Sequence, residues 1–169
     1  MFRVSDKSDS QQIAVLVNSA YRPKSGSEGW THESALVQGE RISANQVTEL
    51  TGESSVVLVA EHRQEIVGCV HLEVSGMSAY IGMLAIDPMK QNSGLGKDLL
   101  NYAESYAKEK FEIDEFKMVV VSQRKELIDF YVRRGYRRTG EVHPYPASAN
   151  VGTPIFDNLT IETLLKAAN

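Results

Sequence analysis

The sequence predicts an α/β fold in which a mixed, mostly antiparallel β-sheet is flanked by helices. Three strand-like segments follow one another between residues 55 and 86 with short polar turns between them, which indicates antiparallel neighbours. The third of these strands leads into a glycine-bearing loop, a helix and another apolar strand, which is the order expected of a crossover between parallel strands. The predicted sheet therefore combines a meander with one parallel pair.

Length and composition are those of one globular domain covering residues 1–169. Hydrophobic residues make up 42% of the chain and charged residues 24%, and the net charge of −4 argues against a general nucleic-acid binder while mildly favouring a cationic or amine substrate. No apolar stretch is long enough to span a bilayer, and residues 1–6 lack the apolar segment of a signal peptide. We therefore expect a cytoplasmic protein without a membrane partner.

The first helix is predicted from its cap and its apolar spacing. Residues 2–4 form a short strand, and Ser8 or Asp9 can cap the helix that follows. Residues 21–23, which include a proline, end it. Its apolar face consists of Ile13, Leu16, Val17 and Ala20.

Two further short helices are predicted before the meander. After a loop of glycine, serine and charged residues at 24–29, Thr31 is a plausible cap for a helix through Val37. Ser43 and Gln46 match the capping box, which predicts another helix ending near residue 50.

The central part of the chain predicts a hairpin and the crossover. Residues 55–61 and 66–74 form the hairpin, and the apolar strand at 80–86 follows it. The helix at 94–110 then leads to a buried strand at 116–121, parallel to the strand at 80–86. The polar face of this helix is expected to carry Lys97, Glu104, Lys108 and Glu109.

The C-terminal part predicts a second helix and two strands. The helix contains Leu127, Ile128, Phe130 and Tyr131 and ends at Gly135, a natural C-terminal cap. Residues 136–142 and 154–164 read as strands, although 159–165 could equally begin a terminal helix. The long loop at 144–152 is of the kind that often borders a functional site.

The loop at residues 91–96, Gln-Asn-Ser-Gly-Leu-Gly, predicts an anion-binding site. It joins an apolar strand to a helix N-terminus, where unpaired N–H groups and the helix dipole favour a phosphate or pyrophosphate. Gly94 and Gly96 permit close approach of a ligand or backbone angles that other residues avoid. The loop lacks the ATP-binding pattern and the dinucleotide-binding pattern, and by itself it is equally compatible with an ordinary tight turn.

Two segments resemble motifs of the GNAT superfamily of N-acetyltransferases. Residues 84–88, Leu-Ala-Ile-Asp-Pro, followed by Gln91-x-x-Gly94-x-Gly96, are similar to its acyl-CoA pyrophosphate motif. Residues 130–136, Phe-Tyr-Val-Arg-Arg-Gly-Tyr, are similar to its Phe-Tyr-x-x-x-Gly-Phe/Tyr motif. The resemblance covers roughly residues 1–142. It implies a six- to seven-stranded sheet, splayed into a V between the strands at 80–86 and 116–121, with about four helices.

The resemblance also implies that acetyl-CoA binds in the V. Its pantetheine arm would pair with the backbone of the strand at 80–86, and the N–H groups of residues 92–97 would hold the pyrophosphate. Asn92 and Ser93 stand where many relatives have arginines, and Arg124, where many have an asparagine, either contacts a phosphate or merely starts a helix. The predicted contacts are Leu84, Ala85, Ile86, Gln91, Asn92, Ser93, Gly94, Leu95, Gly96, Lys97, Arg124 and Tyr131.

The resemblance implies a catalytic acid and leaves the base open among several candidates. Tyr131 stands where many relatives hold the tyrosine that hydrogen-bonds the CoA sulfur and acts as general acid. Tyr80 occupies the position of the glutamate base of histone-type relatives. The base is therefore Glu33, His71 or Glu73, or a water relay, and His71 and Glu73 share one face of their strand.

The predicted acceptor-side residues are Trp30, Glu33, Arg41 and Tyr80. An aromatic ring and a carboxylate suit an ammonium group, and Arg41 suits a substrate carboxylate. A structural role explains these side chains equally well: they would pack and cap a variable pair of helices.

We therefore predict an acetyl-CoA-dependent N-acetyltransferase that acts by direct transfer in a ternary complex on the primary amine of a small molecule. Cys69 lies in an apolar run without metal-site spacing, which predicts neither a covalent intermediate nor a bound metal. The alternatives are a protein or peptide N-acetyltransferase, a non-catalytic acyl-CoA sensor and, more remotely, a nucleotide-binding protein of another fold. We expect no nucleic-acid partner, and exposed sheet edges make a homodimer plausible.

Overall fold

The structure is a computed structural model that describes residues 1–23, 30 and 32–169. The predicted loop at 24–29 and the predicted cap at Thr31 lie outside the described residues. The helices are α1 (Ser10–Tyr21), α2 (Ala44–Glu49), α3 (Leu95–Lys110) and α4 (Lys125–Val132). The strands are β1 (Phe2–Val4), β2 (Val37–Gln38), β3 (Ser55–His62), β4 (Glu65–Ser75), β5 (Ser78–Ile86), β6 (Glu115–Val121), β7 (Arg137–Pro144), β8 (Thr153–Pro154) and β9 (Thr160–Ala167).

Seven of these strands form one mixed sheet in the order β1-β3-β4-β5-β6-β9-β7, and β2 and β8 pair as a separate ribbon. The meander β3-β4-β5 is antiparallel, whereas β5 and β6 are parallel and are joined through α3. These pairings confirm the predicted hairpin, the crossover and the mostly antiparallel α/β sheet.

The sheet splays open between β5 and β6. The two strands pair only from Ser78 to Tyr80 on β5 and from Glu115 to Lys117 on β6. Further along, a bulge in the pairing with β4 adds one residue to β5, and Met83 there adopts a left-handed conformation with φ 51°. Because a bulge bends a strand and increases its twist, the far half of β5 turns away from β6 with one edge unpaired.

Helices cover both faces of the sheet. On one face α1 and α2 bury Ile13, Val17 and Val47 against the side chains of β3, β4 and β5. On the other face α3 and α4 pack over Phe116 and its neighbours. Central strands covered on both faces are apolar at successive positions, which explains the continuous apolar run of β3.

Glu104 was predicted on the solvent-exposed face of α3, and this prediction is wrong. It is buried, and its two carboxylate oxygens accept hydrogen bonds from the Tyr136 hydroxyl at 2.8 Å and the Lys166 ammonium at 2.7 Å. A buried carboxylate is stable only when it is paired in this way. The three side chains thereby tie α3 to the segment after α4 and to β9.

Two local predictions at segment ends are wrong, and one alternative that the sequence left open is resolved. The helix predicted through Val37 is a turn followed by β2, because Val37 pairs with Pro154 of β8. The last segment is a strand, as one of the two interpretations predicted, and not a terminal helix: Thr160–Ala167 form β9, which lies between β6 and β7. The side-chain cap before α1 is Asp6, which forms a capping box with Asp9 around a 3₁₀ turn.

The Ser43–Gln46 capping box is confirmed at the start of α2. None of the helices in the described residues combines the length and the apolar character needed to cross a membrane.

Candidate active site

The unpaired edge of β5 borders a cleft of about 320 Å³, here called the outer cleft. The start of α3 and one face of α4 complete its walls. Most of the predicted acetyl-CoA contacts line it, namely Leu84, Ala85, Ile86, Gln91, Asn92, Gly94, Gly96, Lys97 and Arg124. Ser93 and Leu95 border a different hollow on the side of Phe2 and Lys90.

The loop before α3 presents a row of free donors. The backbone N–H groups of residues 92–97 find no backbone acceptor among the described residues, and the first helical bond runs from Asp98 N–H to Gly94 C=O at 3.1 Å. Asn92 and Gly94 adopt left-handed conformations, with φ 61° and 89°, which turn the loop at the helix start. Such a row at a helix N-terminus is suited to a phosphate.

Side chains of the same loop hold its shape. Gln91 donates to the Ile86 carbonyl at 3.1 Å and accepts a hydrogen bond from the Trp30 backbone N–H. Ser93 Oγ donates to the Lys90 carbonyl at 2.6 Å. These two side chains are therefore engaged within the protein, which leaves the backbone of the loop for a ligand.

The charged side chains that line the described part of the outer cleft are all cationic: Lys97, Arg124, Arg133 and Arg134. The Arg134 guanidinium lies over the Phe130 ring, 3.5 Å from its centroid, and donates to the Phe130 carbonyl at 2.6 Å. Its Nε is buried without a hydrogen-bond partner among the described residues. A planar guanidinium held in this orientation at the cleft wall is suited to a phosphate group.

A second cleft of about 280 Å³, the inner cleft, lies between the diverging parts of β5 and β6. It shares Tyr21, Arg124 and Leu127 with the outer cleft, so the two adjoin within the V. The loop after β7 closes its far side through Tyr145, whose hydroxyl accepts a hydrogen bond from Arg22 at 3.1 Å.

Tyr131 lines the inner cleft near the junction of the two clefts. Its side chain is buried, and burial raises the pKa of its phenol well above the ordinary value of 10.0. The hydroxyl therefore stays protonated at neutral pH and keeps a proton to donate.

Glu33 lines the inner cleft as part of a buried ion-pair cluster. Arg22 donates to one carboxylate oxygen from two guanidinium nitrogens, at 2.7 and 3.2 Å, and Arg124 lies 3.8 Å from the other oxygen. Both Glu33 and Arg22 are almost fully buried. Both carboxylate oxygens of Glu33 therefore face guanidinium groups of the protein itself.

His71 and Glu73 lie outside the lining of both clefts. His71 is buried, with its ring edge-on to Tyr80, and burial lowers its pKa below 6.5 against an opposing effect of Glu73. Ser55 Oγ lies 2.5 Å from the Leu50 carbonyl and 2.8 Å from His71 Nε2. Because the single Ser55 hydroxyl proton goes to that carbonyl, Nε2 carries a proton and Nδ1 is the basic nitrogen.

The predicted acceptor-side residues divide between the two clefts. Glu33, Arg41 and Tyr80 line the inner cleft together. Trp30 lies on the outer cleft instead, where its ring centroid is 5.9 Å from that of Phe130.

Sequence reasoning missed the paired arginines of the outer cleft. Arg133 and Arg134 stand within the segment that resembles the family's second motif, but the residues between its fixed positions carried no prediction. Helical spacing offered a signal, because Leu127, Phe130 and Arg134 lie three and four residues apart and line the same wall.

Cys69 is fully buried, and burial raises its pKa to about 12. A thiol in this state is not an activated nucleophile. Among the described residues, no group of three or more His, Cys, Asp and Glu side chains has the arrangement of a metal site.

The profile of the acetyltransferase (GNAT) domain matches residues 24–144. An uncharacterised protein of Bacillus subtilis, YdhI, is 32% identical over 73 residues, and the match spans 43% of this chain and 44% of that protein.

Solved acetyltransferases share the fold. A ribosomal-protein alanine N-acetyltransferase from Escherichia coli superposes with a TM-score of 0.73 at 12% identity, covering all of this chain and 94% of the other. A GNAT family acetyltransferase from Elizabethkingia anophelis with acetyl-CoA bound superposes with a TM-score of 0.61 at 23% identity, covering 73% of this chain and 80% of the other. With its splayed sheet and the domain match over most of its length, the chain belongs to the GNAT acetyltransferase family.

Proposed function

We propose that this chain transfers an acetyl group from acetyl-CoA to the primary amine of a small molecule, with both substrates bound at once. The observation that carries the proposal is the outer cleft, in which the charged side chains of the described lining are cationic and meet a row of N–H groups without a backbone acceptor in the described part of the chain. Such a site is suited to a ligand with several phosphates. The acetyl-CoA bound to the relative from Elizabethkingia anophelis supports this choice of ligand.

The residues of the outer cleft fit the parts of acetyl-CoA. The N–H groups of residues 92–97 would bind the pyrophosphate, and Arg133 and Arg134 supply the charge that Asn92 and Ser93 lack. The free edge of β5 at Leu84 to Ile86 would pair with the amides of the pantetheine arm. When bound, acetyl-CoA supplies an activated acetyl thioester.

The reaction forms one C–N bond and breaks one C–S bond. The neutral amine donates its electron pair to the acetyl carbon, the thiolate of CoA leaves, and the amine nitrogen loses one proton. Tyr131 would give its phenolic proton to the departing sulfur, because its raised pKa keeps it protonated until a strong base is produced beside it. The products are an N-acetylated amine and free CoA.

Of the three candidates for the base, His71 has the most suitable chemistry. Glu33 is paired with two arginines and Glu73 is exposed, whereas His71, which like Glu73 lies outside the lining of both clefts, is uncharged at neutral pH and has Nδ1 as its basic nitrogen. His71 contacts Tyr80, which lines the inner cleft, so proton transfer would pass through a water or Tyr80. Its part in the reaction would be to accept the amine proton.

The dimensions of the inner cleft favour a small acceptor. At about 280 Å³ it is at the lower end of small-molecule sites, and the loop after β7 closes its far side. An alanine of a protein, the kind of acceptor named for the relative from Escherichia coli, would have to enter through the space beside that loop.

The proposal is tested by calorimetric titration with acetyl-CoA, ATP and NAD, followed by detection of free thiol with a panel of amines. Selective binding of acetyl-CoA with thiol release on a small amine is the expected result. Binding without release on any small or peptide amine would identify a sensor instead of an enzyme. Equal binding of ATP or NAD, or no binding of acetyl-CoA, would overturn the proposal.

A further inference from the structure

The charges of the inner cleft indicate which kind of amine it accepts. Its charged lining residues in the described chain are Glu33, Arg41 and Arg124. Glu33, the one acid among them, is held by Arg22 at 2.7 Å and lies 3.8 Å from Arg124. Its charge is therefore neutralised inside the protein and is not available to a substrate ammonium group.

Arg41, in contrast, has no counterion in the described part of the chain. No carboxylate of the described residues lies within ion-pair distance of its guanidinium, which contacts the Tyr21 ring with its carbon 5.7 Å from the centroid. Burial raises the pKa of Tyr80 and Tyr145, and the Arg41 charge opposes that rise at both phenols. Arg41 therefore lies among the tyrosines that line the inner cleft.

The backbone of Arg41 is fixed by α1. Asn18 of α1 accepts hydrogen bonds from the N–H groups of Arg41, at 2.7 Å, and of Ile42, at 3.2 Å. Its amide also donates to the Ile42 carbonyl at 2.8 Å. These three bonds place the start of the Arg41 side chain beside the cleft before any ligand arrives, which is the preorganisation expected of a binding residue.

We propose that the acceptor is an amino carboxylic acid whose carboxylate binds the Arg41 guanidinium in the inner cleft. The planar fork of a guanidinium matches a carboxylate through two parallel hydrogen bonds, and cation–π contact with Tyr21 leaves that fork free. The amine at the other end of the acceptor would then be directed toward the junction of the clefts near Tyr131. This inference rests on the proposed acetyltransferase function and names its substrate class.

The same charges disfavour acceptors that carry only positive charge. A polyamine would bring ammonium groups beside Arg41 with no unpaired carboxylate in the described lining to receive them. Like charges in a cleft of low polarity repel, so such amines are expected to be poor substrates.

The test compares standard amino acids, β-alanine and 4-aminobutyrate with their carboxamides and with polyamines, by the rate of CoA thiol release. Each carboxamide has the same carbon skeleton as its amino acid, and its amine loses a proton more readily. A preference for the acid therefore cannot arise from a more reactive amine. For the accepted amino acid we expect kcat/KM to exceed that of its carboxamide by about tenfold or more, as for a charge-assisted hydrogen bond.

Variants at Arg41 assign that preference to one residue. Arg41→Gln is expected to remove most of the acid-to-carboxamide ratio, mainly through KM, and Arg41→Lys to restore part of it, while acetyl-CoA affinity is unchanged. The control is Arg137→Gln, which removes the same charge at an exposed position on β7. This variant is expected to keep the full ratio of kcat/KM between acid and carboxamide. Thermal melts establish that each variant folds.

Three results would overturn the inference. The first is turnover of carboxamides or polyamines at least as fast as of the acids. The second is an acid preference that survives in Arg41→Gln. The third is acetyl-CoA binding without turnover of any carboxylate-bearing amine. Failure to bind acetyl-CoA at all would instead overturn the proposed function on which this inference rests, so the two failures are distinguishable.

Discussion

The conformation of Gly94 allows the anion site to be tested by substitutions at a single position. Gly94 precedes α3 with φ 89°, and apart from its chain neighbours no atom of the described residues lies within 4 Å of a Cβ built on it. A side chain there has room, so its cost to the fold is that of a left-handed backbone, about 1 to 2 kcal/mol for a residue with a Cβ. Ala, Gln and Glu share that cost, and differences between them report on the ligand.

Gly94→Glu places a negative charge beside the N–H row proposed to hold the pyrophosphate. At an effective dielectric constant of about 20, two like unit charges about 4 Å apart repel by about 4 kcal/mol, a factor of about a thousand in Kd. Gly94→Gln fills nearly the same volume without the charge, and Gly94→Ala adds only a methyl group. We expect Gly94→Glu to abolish measurable acetyl-CoA binding, with Gln intermediate and Ala mildest.

The assay is calorimetric titration of the three variants and the unsubstituted protein with acetyl-CoA, accompanied by thermal melts. A common modest decrease in Tm among the variants would confirm that they share only the backbone cost. If Gly94→Glu folds and binds acetyl-CoA as tightly as Gly94→Gln, the loop does not hold the pyrophosphate and the reasoning about its free N–H groups is refuted.

The remaining predictions address the acid, the buried histidine and the α3 network. Tyr131→Phe is expected to lower kcat by about a hundredfold with little change in acetyl-CoA affinity, because it removes a proton donor; equal losses in both would indicate a packing role. His71 has a lowered pKa in the fold, so its contribution to stability is present above about pH 6.5 and is lost as the pH falls. Denaturant unfolding of His71→Gln should therefore depend less on pH below that value, and an unchanged pH dependence would contradict this. Glu104→Ala is expected to lower the free energy of unfolding by about 3 kcal/mol, because Tyr136 and Lys166 lose their acceptor. The exposed Glu109→Ala on the same helix is the control, and a similar small loss in both would count against the network.

Most of the fold was predictable because its elements are specified by neighbouring residues. The Ser43–Gln46 box, the apolar runs of β3 to β6 and the spacing of α3 depend on side chains a few positions apart. The errors fall where a distant strand determines the local structure. Val37 is in a strand because Pro154 pairs with it, and Glu104 is buried because Tyr136 and Lys166 reach it from other elements.

The sequence by itself determined the family resemblance and the position of the outer cleft. A strand end, two glycines and a helix start are all properties of residues 84–97, so local chemistry predicts either an anion site or a tight turn there, and the family resemblance favours the anion site. The charge of the inner cleft was decided only by tertiary structure. Glu33 and Arg41 are eight positions apart and both looked available to a substrate, yet Arg22 and Arg124 pair with the first, while the second has no carboxylate partner among the residues that the structure describes. The physical reason is that a charge is available to a ligand only if the fold brings no counterion to it, and that depends on the packing of α1, α4 and the loop after β7.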